Sequence, residues 1–450
     1  SDENKLLSEF FYKKAVEKNA ITTKEVDQFF DEQEGIFLAD RYIKGTCPHC
    51  QAEDQYGDAC EKCYATYQPE QLIDPKSAIS GTTPIKKSST HYFFQLQKFE
   101  SIIKDWLDTN TVSKEVRNKL NEWLDNGLKD WDISRDEPYF GFKIPGTDDK
   151  YFYVWLDAPI GYLASTQRLC ETSSDTLDFE SIWKSGDYEI HHFIGKDILY
   201  FHTLFWPAML DAAEFKKPTK VNVHGFLTVN GEKMSKSRGT FILARDYADS
   251  LDPGFLRYYY ASKLSGSVDD IDLNLEDFVF KVNSDVVGKV INIGSRLGSI
   301  TTKKLGGTLS SPDQEGQALL DSILASKDTI HQYYETLAFN KAMMEIMRLA
   351  DDVNKYINDK APWSLTADSP EEALAICTTG LNALKLFSIY LKPVLPMISQ
   401  GLETFLNCEY LDWSDLGSLL ENHAINPYQH LAQRLELAVV EEALLSAEMA

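Results

Sequence analysis

The sequence predicts a multidomain α/β protein in which a parallel β-sheet is followed by a helical bundle. Two segments between residues 151 and 210 each run from a strand-like stretch into a helix-like one, and a third strand-like stretch, KPTKVNVHGFLTV, follows them. Such alternation is typical of parallel sheets, in which ligands bind beyond the carboxyl ends of the strands. From about residue 276 onward the apolar spacing is helical, which predicts the bundle.

The composition limits the partners of the protein. Among its 450 residues, 69 acids outnumber 45 bases, and the net charge of -24 excludes indiscriminate attraction to nucleic acid. A nucleic-acid partner would have to meet local basic patches. Bases do cluster at the start of the predicted bundle, at Lys281, Lys289, Arg296, Lys303 and Lys304. No membrane span is expected, because Lys385 and Lys392 interrupt the longest apolar run before it reaches roughly 20 residues.

The cysteines indicate a reducing compartment. There are seven, an odd number, and four of them lie in one short segment, which is not typical of a disulfide framework. The first residues, SDENKLLSEF, lack the basic and apolar regions of a secretory signal. A cytoplasmic location is therefore predicted.

The first 130 residues contain three predicted helices. Residues 1–18 place Leu6, Phe10 and Phe11 at helical spacing. Turn-rich sequence follows, and then HYFFQLQKFESIIKDWL and VRNKLNEWLDNGL predict a short strand and two amphipathic helices that end at Gly127.

Two CxxC pairs interrupt this region. Cys47 and Cys50 form the first pair, and Cys60 and Cys63 form the second pair nine residues later. Two facing turns of this kind can supply four thiolates to a tetrahedral zinc ion, which predicts one zinc per chain. The alternatives are two reduced thiol pairs or a redox centre, although a redox centre needs one pair on a βα unit. Because four ligands leave no coordination position open, the zinc would be structural.

Two strand-to-helix junctions predict a small apolar pocket. In WLDAPIGY, Asp157 is expected to cap a helix that has Pro159 in its first turn, with Trp155 and Tyr162 near each other at the sheet edge. Core packing is the ordinary alternative for each aromatic residue taken singly.

The second junction repeats this design. Asp197 is expected to cap the helix that carries Ile198 and His202, which are four residues apart and share a face. A histidine that is merely satisfied within the helix is the alternative for His202.

A lysine-rich loop follows the third strand. The chain is predicted to turn at Asn230-Gly231 and then runs through GEKMSKSRG, where Lys233 and Lys236 are three residues apart. Two ammonium groups so placed can close on a phosphate chain whose charge shifts during a reaction. A solvated basic patch is the usual explanation for such a loop, but the specific five-residue string favours phosphate binding.

These motifs together resemble the class I aminoacyl-tRNA synthetases, and within that class the methionyl-tRNA synthetase family. The strings KMSKS, WLDAPIGY, FIGKD, VHGFLTVNGEKMSKSRGT and WDISRDEPYFGF carry the resemblance together with the four-cysteine knuckle, and it covers essentially the whole chain. It implies a Rossmann-type parallel sheet of which the second half is present, an inserted connective domain with the zinc knuckle, and a C-terminal α-helical anticodon-binding bundle. The implied domains are the end of the first Rossmann half at 1–18, the connective domain at 19–150 with its knuckle at 47–63, the second Rossmann half at 151–226, the KMSKS loop and stem-contact region at 227–287, and the anticodon-binding domain at 288–450.

The resemblance also implies roles for individual residues. Lys236 would be the principal contact to the ATP phosphates in the transition state, and Lys233 would support it. The methionine side chain would be held by Trp155, Ala158, Pro159, Tyr162, Ile198 and His202. The adenosine would be held by Gly195, Asp197, His224, Gly225 and Leu227. The CAU anticodon would be read by Asn292, Arg296 and Trp363, although residue type alone assigns Trp363 to a hydrophobic core.

One departure from the family concerns its HIGH signature, whose histidines and helix N-terminus hold ATP. No H-x-G-H string occurs in the sequence, and His191-His192 before Phe-Ile-Gly does not replace it. The family also places the groups that grip the methionine amino group in that half of the domain. The resemblance therefore implies a further segment before Ser1.

The implied function is that of a methionine–tRNA ligase. It would convert methionine and ATP, with magnesium, into methionyl-adenylate and pyrophosphate, and would pass the methionyl group to tRNA(Met). The alternative is a non-catalytic tRNA-binding fragment that lacks the HIGH half. A leucine, isoleucine or valine synthetase is disfavoured because those enzymes carry a large editing insertion where this chain has a compact knuckle. A monomer is expected, since no appended tRNA-binding domain is visible after the bundle.

Overall fold

The structure, a computed structural model, describes residues 1–63, 65–173, 177–234 and 242–445. The chain divides into two units, Ser1–Val223 and His224–Ala450. The helices of the first unit are α1 (Asp2–Glu17), α2 (Glu100–Leu107), α3 (Lys114–Asp125), α4 (Val154–Thr172), α5 (Phe179–Trp183) and α6 (Trp206–Ala212). Its strands are β1 (Ile21–Asp31), β2 (Ile36–Phe37), β3 (Ile43–Thr46), β4 (Gln55–Tyr56), β5 (Ile73–Ser77), β6 (Ile85–Phe94), β7 (Trp131–Asp132), β8 (Ser134–Asp136), β9 (Lys150–Phe152), β10 (His191–Gly195) and β11 (Lys220–His224, whose last residue begins the second unit).

The three helices predicted in the first 130 residues are confirmed as α1, α2 and α3. Helix α1 buries Phe11, whose ring stacks on Trp206 and Phe215 with centroids 5.9 Å and 5.3 Å away. Helix α3 begins where the Ser113 hydroxyl accepts a hydrogen bond from the Val116 amide, and it ends before Gly127, whose φ of 75° suits glycine.

The sheets of the first unit are small. Strands β2, β1, β6 and β7 form one antiparallel sheet, in which β1 and β6 pair from Ile21 opposite Phe94 to Phe30 opposite Ile85. Strand β3 pairs antiparallel with both β4 and β5, and β10 pairs with β11. Strand β9, predicted as part of a parallel sheet, instead pairs antiparallel with β8.

In the second unit, a three-stranded sheet precedes a helical bundle. Strands β12 (Leu227–Val229), β13 (Glu232–Lys233) and β14 (Ile271–Leu273) form the sheet, with β12 parallel to β14 and antiparallel to β13. The helices are α7 (Ala244–Ser250), α8 (Pro253–Lys263), α9 (Leu275–Lys281), a π-helix (Val282–Ile291), α10 (Asn292–Lys304), α11 (Gln314–Ala325), α12 (Lys327–Glu335), α13 (Phe339–Lys360), α14 (Pro362–Leu365), α15 (Pro370–Leu391), α16 (Pro396–Phe405) and α17 (Leu437–Leu445). The predicted helical bundle is thus confirmed.

Helix α15 forms the centre of this bundle. By length and hydropathy alone it could cross a membrane, but 89% of its most apolar window is buried inside the bundle. Lys385, which interrupts the apolar run in the sequence, is itself buried and donates to the carbonyl oxygens of Asp415 and Ser418 at 2.7 and 2.6 Å. The apolar surface of α15 is therefore accounted for by the core of the unit.

Both predicted aspartate caps are wrong. Helix α4 begins at Val154 with Tyr153 at its N-cap, so Asp157 lies inside its first turn. The reason is that the buried stripe of Leu156, Ile160 and Leu163 starts before the aspartate. Asp197 likewise lies within a short 3-10 helix, Lys196–Ile198, that no side chain caps.

A buried ion cluster joins β6 to β7 and β8. The ring of His91 is only 2% exposed, and its Nδ1 lies 2.6 Å from Asp132 Oδ2 and its Nε2 2.9 Å from Asp136 Oδ2. Asp136 also accepts hydrogen bonds from the Ser89 hydroxyl at 2.6 Å and from Lys150. Burial opposes the charge on His91, but the two carboxylates outweigh it and raise the pKa of His91 above 6.5.

Replacing His91 by glutamine should lower the free energy of unfolding by about 3 kcal/mol at pH 6, because Asp132 and Asp136 would keep their charges without the imidazolium. Since the folded-state pKa is raised, this stabilisation is complete below the unfolded pKa and declines as the pH rises through the folded value. Urea unfolding at about pH 6 and about pH 9 should show that the free energy of unfolding differs less between wild type and variant at the higher pH. An equal difference in the free energy of unfolding at both pH values would contradict the charge pairing of His91 with the two aspartates. His191→Gln is the control, because His191 is exposed and pairs only with Glu189 among the described contacts.

Candidate functional site

The four cysteines of the predicted knuckle come together in the first unit. All four Sγ atoms lie within 4.8 Å of one another, with Cys47 3.8 Å from Cys63 and Cys50 3.5 Å from Cys60. All four are free thiols. This is the geometry of a site in which one metal ion would have four sulfur ligands.

Local backbone structure sets this geometry. Cys47 follows β3 directly, and each turn directs an amide to a sulfur, from His49 to Cys47 and from Lys62 to Cys60, both at 3.4 Å. Burial opposes ionisation of Cys60, but amide donors from Cys63 and Lys62 outweigh it and lower the pKa of Cys60, which favours the thiolate that a metal requires. Cys47 and Cys60 are buried with Phe29, Leu38, Ile43, Tyr67 and Leu72, so the site shares the core of a small appendage.

The predicted apolar pocket residues occupy two neighbouring elements of the first unit. Trp155, Ala158, Pro159 and Tyr162 share one face of α4, because they are three, four and seven residues apart. Pro159 is buried, whereas Ala158 is exposed. The Trp155 ring stacks on Phe201 with centroids 4.3 Å apart and planes at 19°.

Two hydrogen bonds in series join α4 to the segment that carries Ile198 and His202. His202 Nδ1 lies 3.1 Å from the carbonyl oxygen of Ile198, and its Nε2 lies 3.0 Å from the Tyr162 hydroxyl. A carbonyl only accepts, so Nδ1 carries the proton and Nε2 accepts from Tyr162. Burial lowers the pKa of His202 and raises that of Tyr162, so both side chains are neutral.

Three residues beside these hydrogen bonds, His192, Trp206 and Phe201, were not predicted from the sequence. Burial, followed by the nearby His202, lowers the pKa of His192 to about 4, and its Nε2 accepts from the Trp206 indole at 3.1 Å. The Tyr162 ring lies 4.8 Å from His192, while Phe201 stacks on Trp155 as described. The signal that could have identified His192 is the alternation of inward and outward side chains along a strand. In β10, His192 and Ile194 are buried, whereas His191 and Phe193 are exposed.

The residues predicted to hold adenosine lie at strand ends. Gly195 ends β10 and Asp197 is exposed in the 3-10 helix that follows, both in the first unit. His224, Gly225 and Leu227 open the second unit. A Cβ at Gly225 would stand 2.1 Å from the backbone oxygen of Asp269, so only glycine fits there.

A tight hairpin in the second unit leads into the lysine loop. The turn between β12 and β13 is confirmed at Asn230 and Gly231, whose φ values of 49° and 80° are typical of a two-residue hairpin turn. Asp272 on β14 anchors it by accepting from the Thr228 hydroxyl and the Gly231 amide, both at 2.7 Å. The Lys233 backbone pairs with Thr228, while Lys236 lies outside the described residues.

Two of the predicted anticodon residues make direct contact in the second unit. The Arg296 guanidinium lies 4.6 Å from the centre of the Trp363 ring and donates to Asn358 Oδ1 at 2.7 Å. Trp363 is 41% exposed, so the assignment to a core from residue type alone is wrong. Its exposure follows from Ala361, whose φ of 44° ends α13 and turns the chain outward into α14. Asn292 begins α10, one helical turn before Arg296.

Two protein families match this chain. Residues 1–298 match the family described as tRNA synthetases class I (M), and residues 306–431 match the anticodon binding domain of methionyl tRNA ligase. The chain therefore belongs to the class I tRNA synthetases. Within that class it belongs to the methionyl family, and its function is that of an aminoacyl-tRNA ligase. Because the first match covers the catalytic domain, the alternative of a non-catalytic tRNA-binding fragment is not supported.

Solved structures show the same fold. Mycobacterium tuberculosis methionyl-tRNA synthetase in complex with methionyl-adenylate matches with a TM-score of 0.76 and 21% identity, over 96% of this chain and 81% of that chain. The apo form of the same enzyme matches with a TM-score of 0.74 and 20% identity, over the same shares. At this identity the likeness concerns the fold alone.

Proposed function

We propose that this ligase joins methionine to tRNA(Met) in two steps, with ATP and magnesium used in the first. The observation that carries the proposal is the neutral pocket wall made by Trp155, Phe201, Tyr162 and His202. The methionine side chain is uncharged, and its sulfur is favourable against aromatic edges by about 0.3 to 1.5 kcal/mol. The Tyr162 hydroxyl and the neutral His202 ring offer polar tips without a charge that would need a counterion.

The proposed chemistry is an in-line displacement at phosphorus. A carboxylate oxygen of methionine bonds to the α-phosphorus of ATP, and the bond from that phosphorus to the pyrophosphate oxygen breaks. Lys236 would stabilise the charge that develops on the phosphates, and Lys233 would assist. A ribose hydroxyl at the 3′ end of tRNA would then attack the methionyl carbonyl, so that an ester bond to tRNA forms and the bond to AMP breaks.

Replacing Trp155 by alanine should raise the KM for methionine about ten- to a hundredfold, because the apolar contact between the indole ring and the methionine side chain, worth roughly 1.5 to 3 kcal/mol, is lost. The KM for ATP should change far less. Methionine-dependent ATP–pyrophosphate exchange by the full-length protein measures both constants, and its complete absence in the wild type would refute the proposed first step.

The matched control is Phe193→Ala, which removes an exposed aromatic residue of β10 from the face opposite to that of the buried His192. It should leave both KM values unchanged. Equal increases of the two KM values in Trp155→Ala would contradict the pocket assignment.

We also propose that the four-cysteine site holds structural zinc. Zinc–sulfur bonds of about 2.3 Å place the sulfurs of a regular tetrahedron about 3.8 Å apart. The Cys47–Cys63 and Cys50–Cys60 separations of 3.8 and 3.5 Å support this ion. With four ligands, zinc would hold the appendage folded and would leave no position for a substrate.

Cys60→Ser should abolish stoichiometric zinc binding, since serine is a poor zinc ligand and Cys60 is the buried donor of the second turn. Elemental analysis of the purified proteins should find one zinc per chain in the wild type and in Cys170→Ser, a control outside the cluster. Equal zinc contents in Cys60→Ser and wild type would exclude this site.

Anticodon recognition is proposed for the Arg296–Trp363 pair. An exposed aromatic ring beside a guanidinium offers a stacking surface and hydrogen-bond donors to an unpaired base. Asn292, one turn from Arg296, would add an amide that reads a base edge. The match of residues 306–431 to an anticodon binding domain supports this assignment for Trp363.

Trp363→Ala should lower kcat/KM for tRNA(Met) about ten- to a hundredfold, the loss expected when one stacked base loses its platform. ATP–pyrophosphate exchange should be unchanged. The control Arg348→Ala removes an exposed arginine of α13 that pairs with Glu345 and Asp352, and it should aminoacylate normally. A tRNA(Met) with a changed anticodon should no longer distinguish Trp363→Ala from wild type. A difference that persists with that tRNA would place the role of Trp363 elsewhere.

A further inference from the structure

Four aromatic rings of the first unit form a cluster at the candidate pocket. They belong to Tyr162 of α4, His192 of β10, His202 of the π-helix Phe201–Phe205 and Trp206 at the start of α6. The centre of the Tyr162 ring lies 4.8 Å from that of His192 and 6.3 Å from that of Trp206. Since Tyr162 and His202 provide the polar part of the pocket wall, the other two rings are its immediate neighbours.

Trp206 is anchored in the core of the unit. Its side chain is 0% exposed, and its ring stacks on Phe11 of α1 with centroids 5.9 Å apart and planes at 19°. The Phe11 ring stacks in turn on Phe215. The indole N–H can only donate a hydrogen bond, and a buried indole usually finds an acceptor for it. Trp206 therefore presents one firmly held donor to its surroundings.

His192 accepts the hydrogen bond from this donor. Its Nε2 lies 3.1 Å from Trp206 Nε1, and the side chain is only 7% exposed. Because the indole donates, Nε2 is unprotonated and the proton of the neutral ring is on Nδ1. Burial keeps the ring neutral by lowering the pKa of His192 to about 4, and the nearby His202 adds to this effect. The hydrogen bond is therefore formed at neutral pH.

This hydrogen bond supports both polar groups of the pocket wall. The Tyr162 ring packs on His192 with planes inclined at 35°, and the His202 ring meets His192 edge-on at 71°. The hydrogen bond of 3.0 Å between the Tyr162 hydroxyl and His202 depends on the orientations of both rings. Replacing His192 by leucine would leave the buried indole N–H without its described acceptor, and the cost of that loss favours a rearrangement of the rings.

We propose that His192 is a positioning residue for methionine recognition, which links the rings of Tyr162 and His202 to the buried indole of Trp206. It acts through these two rings and not by contact with the substrate. The inference rests on the proposed function, because it requires that the pocket binds methionine.

The proposal has a consequence for specificity. Norleucine has the length of methionine but carries a methylene group in place of the sulfur. The apolar contacts of the pocket are largely shared by the two amino acids, whereas the polar tips of Tyr162 and His202 can distinguish a sulfur from a methylene group. Displacement of these tips should therefore weaken the binding of methionine more than the binding of norleucine.

The test compares His192→Leu with His192→Gln in the full-length protein, because glutamine keeps a side-chain acceptor and leucine has none. The Kd for methionine, measured by calorimetry without ATP, should rise about tenfold in His192→Leu and stay within about threefold in His192→Gln. The Kd for norleucine should rise at most about threefold in His192→Leu, and the KM for ATP in pyrophosphate exchange should stay within about twofold. An equal loss of methionine affinity in both variants would contradict the role of the acceptor.

Two matched controls separate this hydrogen bond from general packing. His191→Leu replaces the adjacent, exposed histidine of β10, and Trp183→Phe replaces a buried tryptophan whose indole nitrogen has no hydrogen-bond partner among the described residues. Both should bind methionine like the wild type. Trp206→Phe removes the donor and should weaken methionine binding. His192→Leu combined with Trp206→Phe should lose less affinity than the product of the two single effects, and a full product would contradict the coupling.

A second readout tests the hydrogen bond without methionine. Solvent exchange of the Trp206 indole N–H, followed by NMR with isotope-labelled tryptophan and assigned with Trp206→Phe, should accelerate in His192→Leu and not in His191→Leu. Unchanged exchange in His192→Leu would overturn the inference, and so would an unchanged Kd for methionine or equal losses of methionine and norleucine affinity. A wild type that does not bind methionine would instead refute the proposed function.

Discussion

The hydrogen bond between Tyr162 and His202 is the contact on which the candidate pocket depends. Tyr162 is the donor in this bond, because the Ile198 carbonyl oxygen accepts the Nδ1 proton and leaves Nε2 of the neutral His202 ring as the acceptor. The π-helix Phe201–Phe205 adds to the effect, because its wider turn changes the directions of successive side chains. Phe201 can therefore stack on Trp155 while the adjacent His202 bonds to Tyr162. The adjacent residues Phe201 and His202 thus contact two different residues of the candidate pocket, Trp155 and Tyr162.

Features set by local sequence were predictable. The CxxC spacing and the Asn230-Gly231 hairpin each depend on residues that are close along the chain, and the structure confirms the hairpin and brings the four sulfurs together. The helices of the bundle were also predictable, because their apolar spacing persists over many residues. Local structure that depends on a few consecutive residues can be predicted from the sequence alone.

Features set by distant packing were not predictable. Asp157 looked like a cap because it precedes Pro159, but the buried stripe from Leu156 to Leu163 extends the helix toward its N-terminus. The antiparallel partner of β9 is β8, and a strand does not encode its partner. Trp363 was misassigned for the same reason, since its exposure depends on the turn at Ala361 and its stacking on a side chain of another helix.

Charge is used locally in this acidic chain. At the start of the bundle two of the five bases are paired with acids, since Lys289 contacts Asp285 at 3.8 Å and Asp351 at 2.7 Å, and Lys281 approaches Asp285 at 4.0 Å. A continuous basic track would therefore be weakened by its own acids. Arg296 differs, because its described partners are the neutral side chains of Asn358 and Trp363, which leave its charge uncompensated. Recognition of nucleic acid by this unit should accordingly depend on stacking and base edges more than on the summed charge, which also keeps nonspecific binding low in a chain of net charge -24.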